Sequence, residues 1–139
     1  INRLQKTDDG EPVNSLIRGD VWKGYYVYKN SVQNEGGVQF TGKKPIALIR
    51  DLLKWIGTKD AKVLDIFAGS GTTGHAIMLQ NKLDGGSRSF ILCQTAEPVN
   101  PDSAEYSQGF TTIDQATIKR LKNAVVEVAN GDGFQIMQS

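Results

Sequence analysis

The sequence predicts an α/β fold in which a partial, mostly parallel sheet is flanked by helices. Three observations carry this expectation. Lys62-Val63-Leu64-Asp65-Ile66-Phe67 and Phe90-Ile91-Leu92-Cys93 are short apolar runs of strand length. Helical patterns precede, separate and follow them. A glycine-rich stretch, Gly69-Ser70-Gly71-Thr72-Thr73-Gly74, joins the first run to the helix after it, as in layered α/β units.

Taken in order, residues 1–40 are rich in turn formers, Asp8-Asp9-Gly10 and Asn34-Glu35-Gly36-Gly37 among them. They read as an irregular lead-in, with a short strand at Tyr26-Val27-Tyr28 and an aromatic cluster of Trp22, Tyr25, Tyr26 and Tyr28 that reads as core. Residues 41–139 form the α/β unit. Pro45 suits the first turn of a helix, where its missing N–H costs nothing. Ile46, Ile49, Leu52, Leu53 and Ile56 follow at helical spacing, and Gly57 stops the run.

The strand 62–67 feeds the glycine turn, and Ala76 to Leu79 continue into a helix that ends before Asp84-Gly85-Gly86. The second strand, 89–94, is continuously apolar at its centre, the mark of a parallel strand covered on both faces. Residues 96–110 read as a loop. Thr112 and Gln115 have capping-box spacing, and Ile118, Leu121, Val125 and Val128 make one apolar stripe. Phe134-Gln135-Ile136-Met137 is the last strand expected. Three strands are few, so the sheet reads as unfinished.

Composition narrows the function classes. The single Cys93 excludes an internal disulfide framework, and with one histidine it excludes a Cys/His zinc site. No stretch is long enough to span a membrane, and a cytoplasmic location is the expectation. A net charge of +1 is too small for a protein that grips a nucleic-acid backbone unaided. The chain opens on Ile1 rather than methionine, which points to an incomplete reading frame or to processing.

Chemistry concentrates in Asp65-Ile66-Phe67-Ala68-Gly69-Ser70-Gly71-Thr72-Thr73-Gly74. Glycines let the backbone approach a ligand, and a helix N-terminus offers unpaired N–H groups to a carboxylate or phosphate. Gly69-x-Gly71-x-x-Gly74 satisfies the dinucleotide fingerprint, which alone is a weak signal. Asp65 argues for a different ligand. Its carboxylate would repel a pyrophosphate but suits the amino group of an amino-acid cofactor; its bland reading is a cap on nearby backbone N–H groups.

That stretch resembles the cofactor motif of the beta-class amino-methyltransferases of DNA, above all the type III modification subunits. Lys44-Pro45 before a helix, Phe90-Ile91-Leu92-Cys93-Gln94-Thr95-Ala96-Glu97-Pro98, and Gly109-Phe110 followed by Thr112-Ile113 and a helix with Lys119-Arg120 stand in that family's order. The resemblance covers roughly residues 40–139. It implies a Rossmann-like class I methyltransferase fold, S-adenosyl-L-methionine as cofactor and transfer to adenine N6 of DNA.

Within that resemblance, Asp65 and Phe67 hold the methionine part of the cofactor. Gly69, Ser70, Gly71, Thr72 and Thr73 meet its carboxylate end, and Thr41, Lys44 and Pro45 approach from the preceding segment. Gln94 or Glu97 accepts the ribose hydroxyls; Gln94 follows the turn by about 20 residues, as that role requires. The family's transferase motif, Asp/Asn-Pro-Pro-Tyr/Phe, occurs nowhere in the chain. Asn100-Pro101-Asp102-Ser103 lacks its second proline and its aromatic and reads as a loop.

The implied partners are DNA, held mainly by an upstream half that carries the missing motif, a second copy of the chain, and a restriction subunit. Two alternatives stay open: a nicotinamide- or flavin-binding Rossmann domain and a non-catalytic partner subunit. The remaining residues take bland readings. His75 is a partly exposed helix residue, Cys93 an inert core thiol, and Lys119, Arg120 and Lys122 a solvated helix face.

Overall fold

The computed structural model describes residues 3–6, 12–15, 25, 32–129, 131 and 133–137. Strands β1 (Arg3–Lys6) and β2 (Pro12–Ser15) pair antiparallel, so the lead-in contains a hairpin where irregular chain was expected. The strand expected at Tyr26–Tyr28, and the aromatic cluster apart from Tyr25, lie outside the described residues. Tyr25 is half-buried and donates its hydroxyl to Asp51. A single 3-10 turn at Glu35–Gly37 follows.

Helix α1 (Ile46–Ile56) begins just after Pro45, which stands at the capping position with extended backbone. The cap itself comes from a distance: Glu35 Oε2 accepts the Ile46 N–H at 2.9 Å. Gly57 ends the helix at φ 81°, a left-handed conformation that favours glycine. Leu53 is buried, whereas Ile56, the last residue of the predicted stripe, is largely exposed.

Strands β3 (Lys62–Asp65) and β4 (Ser89–Leu92) are parallel, with Val63 opposite Phe90 and Leu64 opposite Ile91. Between them runs α2 (Thr72–Asp84), packed against α1, β4 and the long helix α4 (Ile113–Val128). Met78 of α2 and Leu121, Ala124 and Val128 of α4 form the core, with Phe90 and Leu92 packed on it. Because α2 has neighbours on several sides, it buries polar residues too. Gln80 answers Arg50 and Asp84, and Asn81 pairs with the backbone of Arg88.

Several expectations are corrected here. β4 is covered on one face only: Ile91 is 60% exposed, Leu64 63%, and Cys93 is exposed rather than a core thiol. α2 and α4 cover the face of Phe90 and Leu92, so the other alternate side chains meet solvent. Residues 134–137 form no strand; Phe134 reaches the core as a side chain, and no backbone ladder is needed for that. The parallel sheet thus has two strands among the described residues, compatible with the α/β class.

The expected loop at 96–110 holds a short helix, α3 (Ala104–Ser107), capped by the Ser103 hydroxyl. The Asn100–Ser103 stretch is a turn, with the Asp102 N–H on Asn100 Oδ1 at 2.9 Å. Thr112 caps α4 without a side-chain bond; Gln115 instead accepts from the Thr111 N–H at 2.9 Å.

Gly74 shows how close the layers are. A Cβ there would stand 2.7 Å from Leu121 Cδ2, 3.1 Å from Leu92 Cδ1 and 3.2 Å from Phe90 Cε2. Alanine should gain about 1 kcal/mol of helix propensity but lose about 1–3 kcal/mol to overpacking. Gly74→Ala is therefore expected to lower the urea midpoint. A raised midpoint would mean that the three side chains yield at no cost.

Candidate functional site

The end of β3 and the start of α2 are held together by backbone bonds. Cys93 N–H reaches the Asp65 carbonyl at 2.9 Å, Ala68 N–H the Cys93 carbonyl at 3.1 Å, and Gly71 N–H the Ala68 carbonyl at 2.8 Å. Gly71 has φ 76°, and its missing Cβ would lie 3.2 Å from Thr117 Cγ2 of α4. Both conformation and space require glycine there. Thr117 also donates its hydroxyl to the Gly69 carbonyl, so α4 supports the turn from below.

Asp65 is half-buried and uses each carboxylate oxygen once. Oδ1 accepts the Phe67 N–H at 3.0 Å, and Oδ2 accepts the Thr73 hydroxyl at 2.6 Å. A carboxylate has room for about four donors, so each oxygen keeps an open lone pair. The capping role is real, and it leaves capacity for a cationic ligand group. Phe67 stands beside it, 84% exposed.

The first-turn N–H groups of α2 have no preceding carbonyls to bond, and Gly71 offers no side-chain cap. Together with the helix dipole they suit a ligand carboxylate. Gln94 Oε1 accepts the Gly69 N–H at 2.8 Å, and its amide donates to the Thr95 carbonyl at 3.1 Å. Glu97 is exposed and takes the Thr95 hydroxyl at 2.9 Å. The structure therefore gathers Asp65, Phe67, Gly69, Gly71, Thr73 and Gln94 at one end of the strand pair.

The other candidates are placed differently. The Ser70 and Thr72 hydroxyls are buried, 3.1 Å apart, and both accept from Arg120 Nη1, at 3.0 and 2.7 Å. Thr72 also donates to the Lys44 carbonyl at 3.3 Å, which brings Lys44-Pro45 against the turn through backbone while the Lys44 side chain stays exposed. Thr41 gives its N–H to the Glu105 carboxylate of α3.

Sequence reasoning missed the polar group beneath the turn. Arg120 and His75 are both fully buried, not a solvated face and a partly exposed residue. Arg120 lies on the helical stripe Ala116, Thr117, Leu121, Ala124 and Val128, all buried; its place among small and apolar residues was the available signal. Burial lowers Arg120 to about 10, against the pull of Glu35 and Glu127, and it is still charged at neutral pH. Lys43, whose ammonium donates to the Gln33, Glu35 and Val38 carbonyls, is lowered to about 8 by burial and by Arg120.

His75 must be neutral with its proton on Nε2. Arg120 Nε, which can only donate, faces His75 Nδ1 at 3.4 Å, while Nε2 lies 3.2 Å from Glu127 Oε2 in ion-pair range. Burial first, then Arg120, lowers its pKa below 6.5, against the pull of Glu127. As pH falls below about 6.5 the unfolded chain gains a proton that the folded chain resists, so stability falls with it. The thermal midpoint should drop from pH 7.5 to 5.5, and His75→Gln should flatten that slope. Equal slopes in both proteins would assign the drop to other groups.

Among the described residues no cluster of His, Cys, Asp or Glu could hold a metal ion, and no helix is long and apolar enough to cross a membrane. Comparison with known proteins bears on the turn directly. The family model described as DNA methylase, of the N6/N4 type, matches residues 3–99. The EcoPI Mod subunit of a type III restriction-modification enzyme from Escherichia phage P1 is 48% identical over 88 residues, 63% of this chain and 14% of the relative.

The StyLTI Mod subunit from Salmonella typhimurium strain LT2 is 39% identical over 89 residues, 64% of this chain and 14% of the relative. The type II methyltransferase M.KpnI from Klebsiella pneumoniae is 37% identical over 106 residues, 73% of this chain and 25% of the relative. The chain thus spans between 14% and 25% of the length of these relatives. The family match covers more than half of the residues and includes the strand, the glycine turn and the second strand. On that evidence the chain belongs to the N6/N4 DNA methylase family.

Proposed function

We propose that residues 41–139 are the S-adenosyl-L-methionine-binding portion of a site-specific adenine-N6 DNA methyltransferase from a restriction-modification system. The observation that carries this reading is Asp65: a strand-end carboxylate with open lone pairs, beside an exposed aromatic ring and an uncapped helix N-terminus. Those groups fit the amino, sulfonium-bearing and carboxylate parts of a methionine moiety, and the Asp65 charge disfavours a pyrophosphate. Family membership weighs the same way against a dinucleotide.

When bound, the cofactor supplies an electrophilic methyl group to the adenine amino nitrogen. This chain's own residues bind and orient it. Asp65 takes the ammonium group, and Phe67 packs along the chain of the methionine part. The first-turn amides of α2 at Thr72 and Thr73 take the carboxylate, since the Gly69 and Gly71 N–H groups are already bonded to Gln94 and Ala68. Gln94 spends its amide on Gly69 and Thr95, which leaves Glu97 as acceptor for the ribose hydroxyls. The base-orienting Pro-Pro-aromatic motif is not in this sequence, so DNA contact and the transfer step belong to a further part of the enzyme.

Calorimetry with S-adenosylhomocysteine tests the reading: saturable one-to-one binding is expected, with no heat from a nicotinamide dinucleotide. Absence of S-adenosyl binding, or preference for the dinucleotide, refutes it. The restriction subunit suggested by the Mod-type relatives, and a cytoplasmic location, belong to the same proposal.

The open face of the sheet bears on assembly. Leu64 of β3, Ile91 of β4 and Ile66 just past β3 are each more than half exposed, and uncovered apolar sheet surface drives association. The isolated chain is expected to pair with a second copy through this face. Light scattering at dilute concentration should give a dimer that Ile91→Lys dissociates; a monomer at all concentrations rules the pairing out.

A further inference from the structure

Among the described residues, the largest side chain that is fully buried is a charged one, Arg120. A guanidinium leaves water only where its donors and its charge are answered. Nη1 reaches the Thr72 and Ser70 hydroxyls, Nε faces His75 Nδ1, and Nη2 stands 3.7 Å from Glu35 Oε2. Glu35 in turn caps α1 through the Ile46 N–H. Gly36 closes over the stem, since a Cβ there would stand 2.7 Å from Arg120 Cγ. One side chain thus ties α4, the glycine turn and the segment that leads into α1.

We propose that Arg120 is the positioning residue of the glycine turn. Its guanidinium fixes the Ser70 and Thr72 hydroxyls from beneath and so aims the first-turn N–H groups of α2 at the ligand carboxylate. This rests on the S-adenosyl reading above. Ser70 and Thr72 act on the ligand through their backbone, because their hydroxyls face inward. A turn with left-handed glycines at 69 and 71 has much freedom to lose on binding. Pre-ordering it from α4 removes that loss from the binding step.

The test compares wild type with Arg120→Met, which keeps the stem and removes the donors, with Ser70→Ala/Thr72→Val, and with all three changes combined. Affinity for S-adenosylhomocysteine is measured by calorimetry at a temperature where each variant is folded. Arg120→Met should weaken binding about tenfold or more, and so should the hydroxyl pair. The combined variant should bind no more than about threefold weaker than either, because the same contacts are lost. A merely structural arginine would lower the thermal midpoint and leave affinity unchanged, or give additive losses; either result overturns the proposal.

Amide exchange gives a readout free of ligand. Gly71 and His75, whose N–H groups are bonded within the turn, and Ala68, whose N–H ties the turn to the Cys93 carbonyl, should exchange faster in Arg120→Met, while amides near Val125 keep their protection. Unchanged protection overturns the proposal even if no S-adenosyl ligand binds, and failure of wild type to bind ligand refutes only the cofactor reading. If Arg120→Met does not fold, Arg120→Lys is measured in its place. It keeps the charge but reaches fewer acceptors, so a loss between wild type and the hydroxyl pair is expected, and full wild-type behaviour counts against the hydroxyl contacts.

Discussion

Replacing Asp65 by alanine should weaken binding of S-adenosyl ligands by about ten- to a hundredfold. A hydrogen bond between charged groups contributes about 1.5–3 kcal/mol, and each 1.4 kcal/mol is about tenfold in affinity. The fold should survive. The Phe67 N–H and the Thr73 hydroxyl lose an acceptor, but the site is exposed enough for water to replace it. Asp65→Asn is the sharper control. It keeps an acceptor for Phe67 and removes the charge, so it should fall between wild type and alanine. Calorimetry on the three proteins decides. Equal affinities would mean that the carboxylate only caps the turn, and the assignment of the ligand's amino group would go with it.

Asp84→Ala should cost about 3–5 kcal/mol of stability, because it strands a buried guanidinium. Arg88 is buried and forked onto Asp84, Nη1 to Oδ1 at 3.0 Å and Nη2 to Oδ2 at 3.0 Å. Its backbone is clasped by Asn81, which both donates to and accepts from it. These contacts close the connection from α2 to β4 and so set the strand on which Gln94 and Glu97 follow. Hydrogen bonding by Arg88 holds the Asp84 carboxyl near 2, below its ordinary 3.8. The folded-state value is depressed, so the pair's stabilisation is complete above pH 3.8 and is lost as pH falls through about 2. Urea denaturation of wild type and variant at neutral pH measures the cost. A loss under about 1 kcal/mol would mean that Arg88 finds water instead.

The order of α1, β3, α2, β4 and α4 was legible in the sequence because each is announced by its neighbours, whereas the β1–β2 pair, the short α3 and the absence of a strand at 134–137 were not. Ile46 to Leu53 repeat at helical spacing, Val63 and Phe90 sit in strand-length apolar runs, and Gly57 and Gly71 occupy left-handed positions that favour glycine. Asp65 was legible for the same local reason, as a carboxylate near the end of a strand that feeds a glycine turn, although the strand expected to reach Phe67 stops at Asp65. The family follows from that short stretch and its ordered companions.

Burial was not legible, since it depends on what arrives from far along the chain. Arg120 and Lys119 are neighbours of like charge, yet only Arg120 points between α2 and the Glu35 turn, where hydroxyls 48 and 50 residues away receive it. His75 is buried because Arg120 and Glu127 of α4 meet its two nitrogens. Ile91 was expected inside and lies outside, because α2 and α4 took the opposite face of β4. Sequence by itself determined α1, β3, α2, β4 and α4, the turn and its carboxylate, through local spacing and glycine conformation. Only the tertiary structure decided that the Ser70 and Thr72 hydroxyls face Arg120, because partners so distant in sequence meet only when the layers pack.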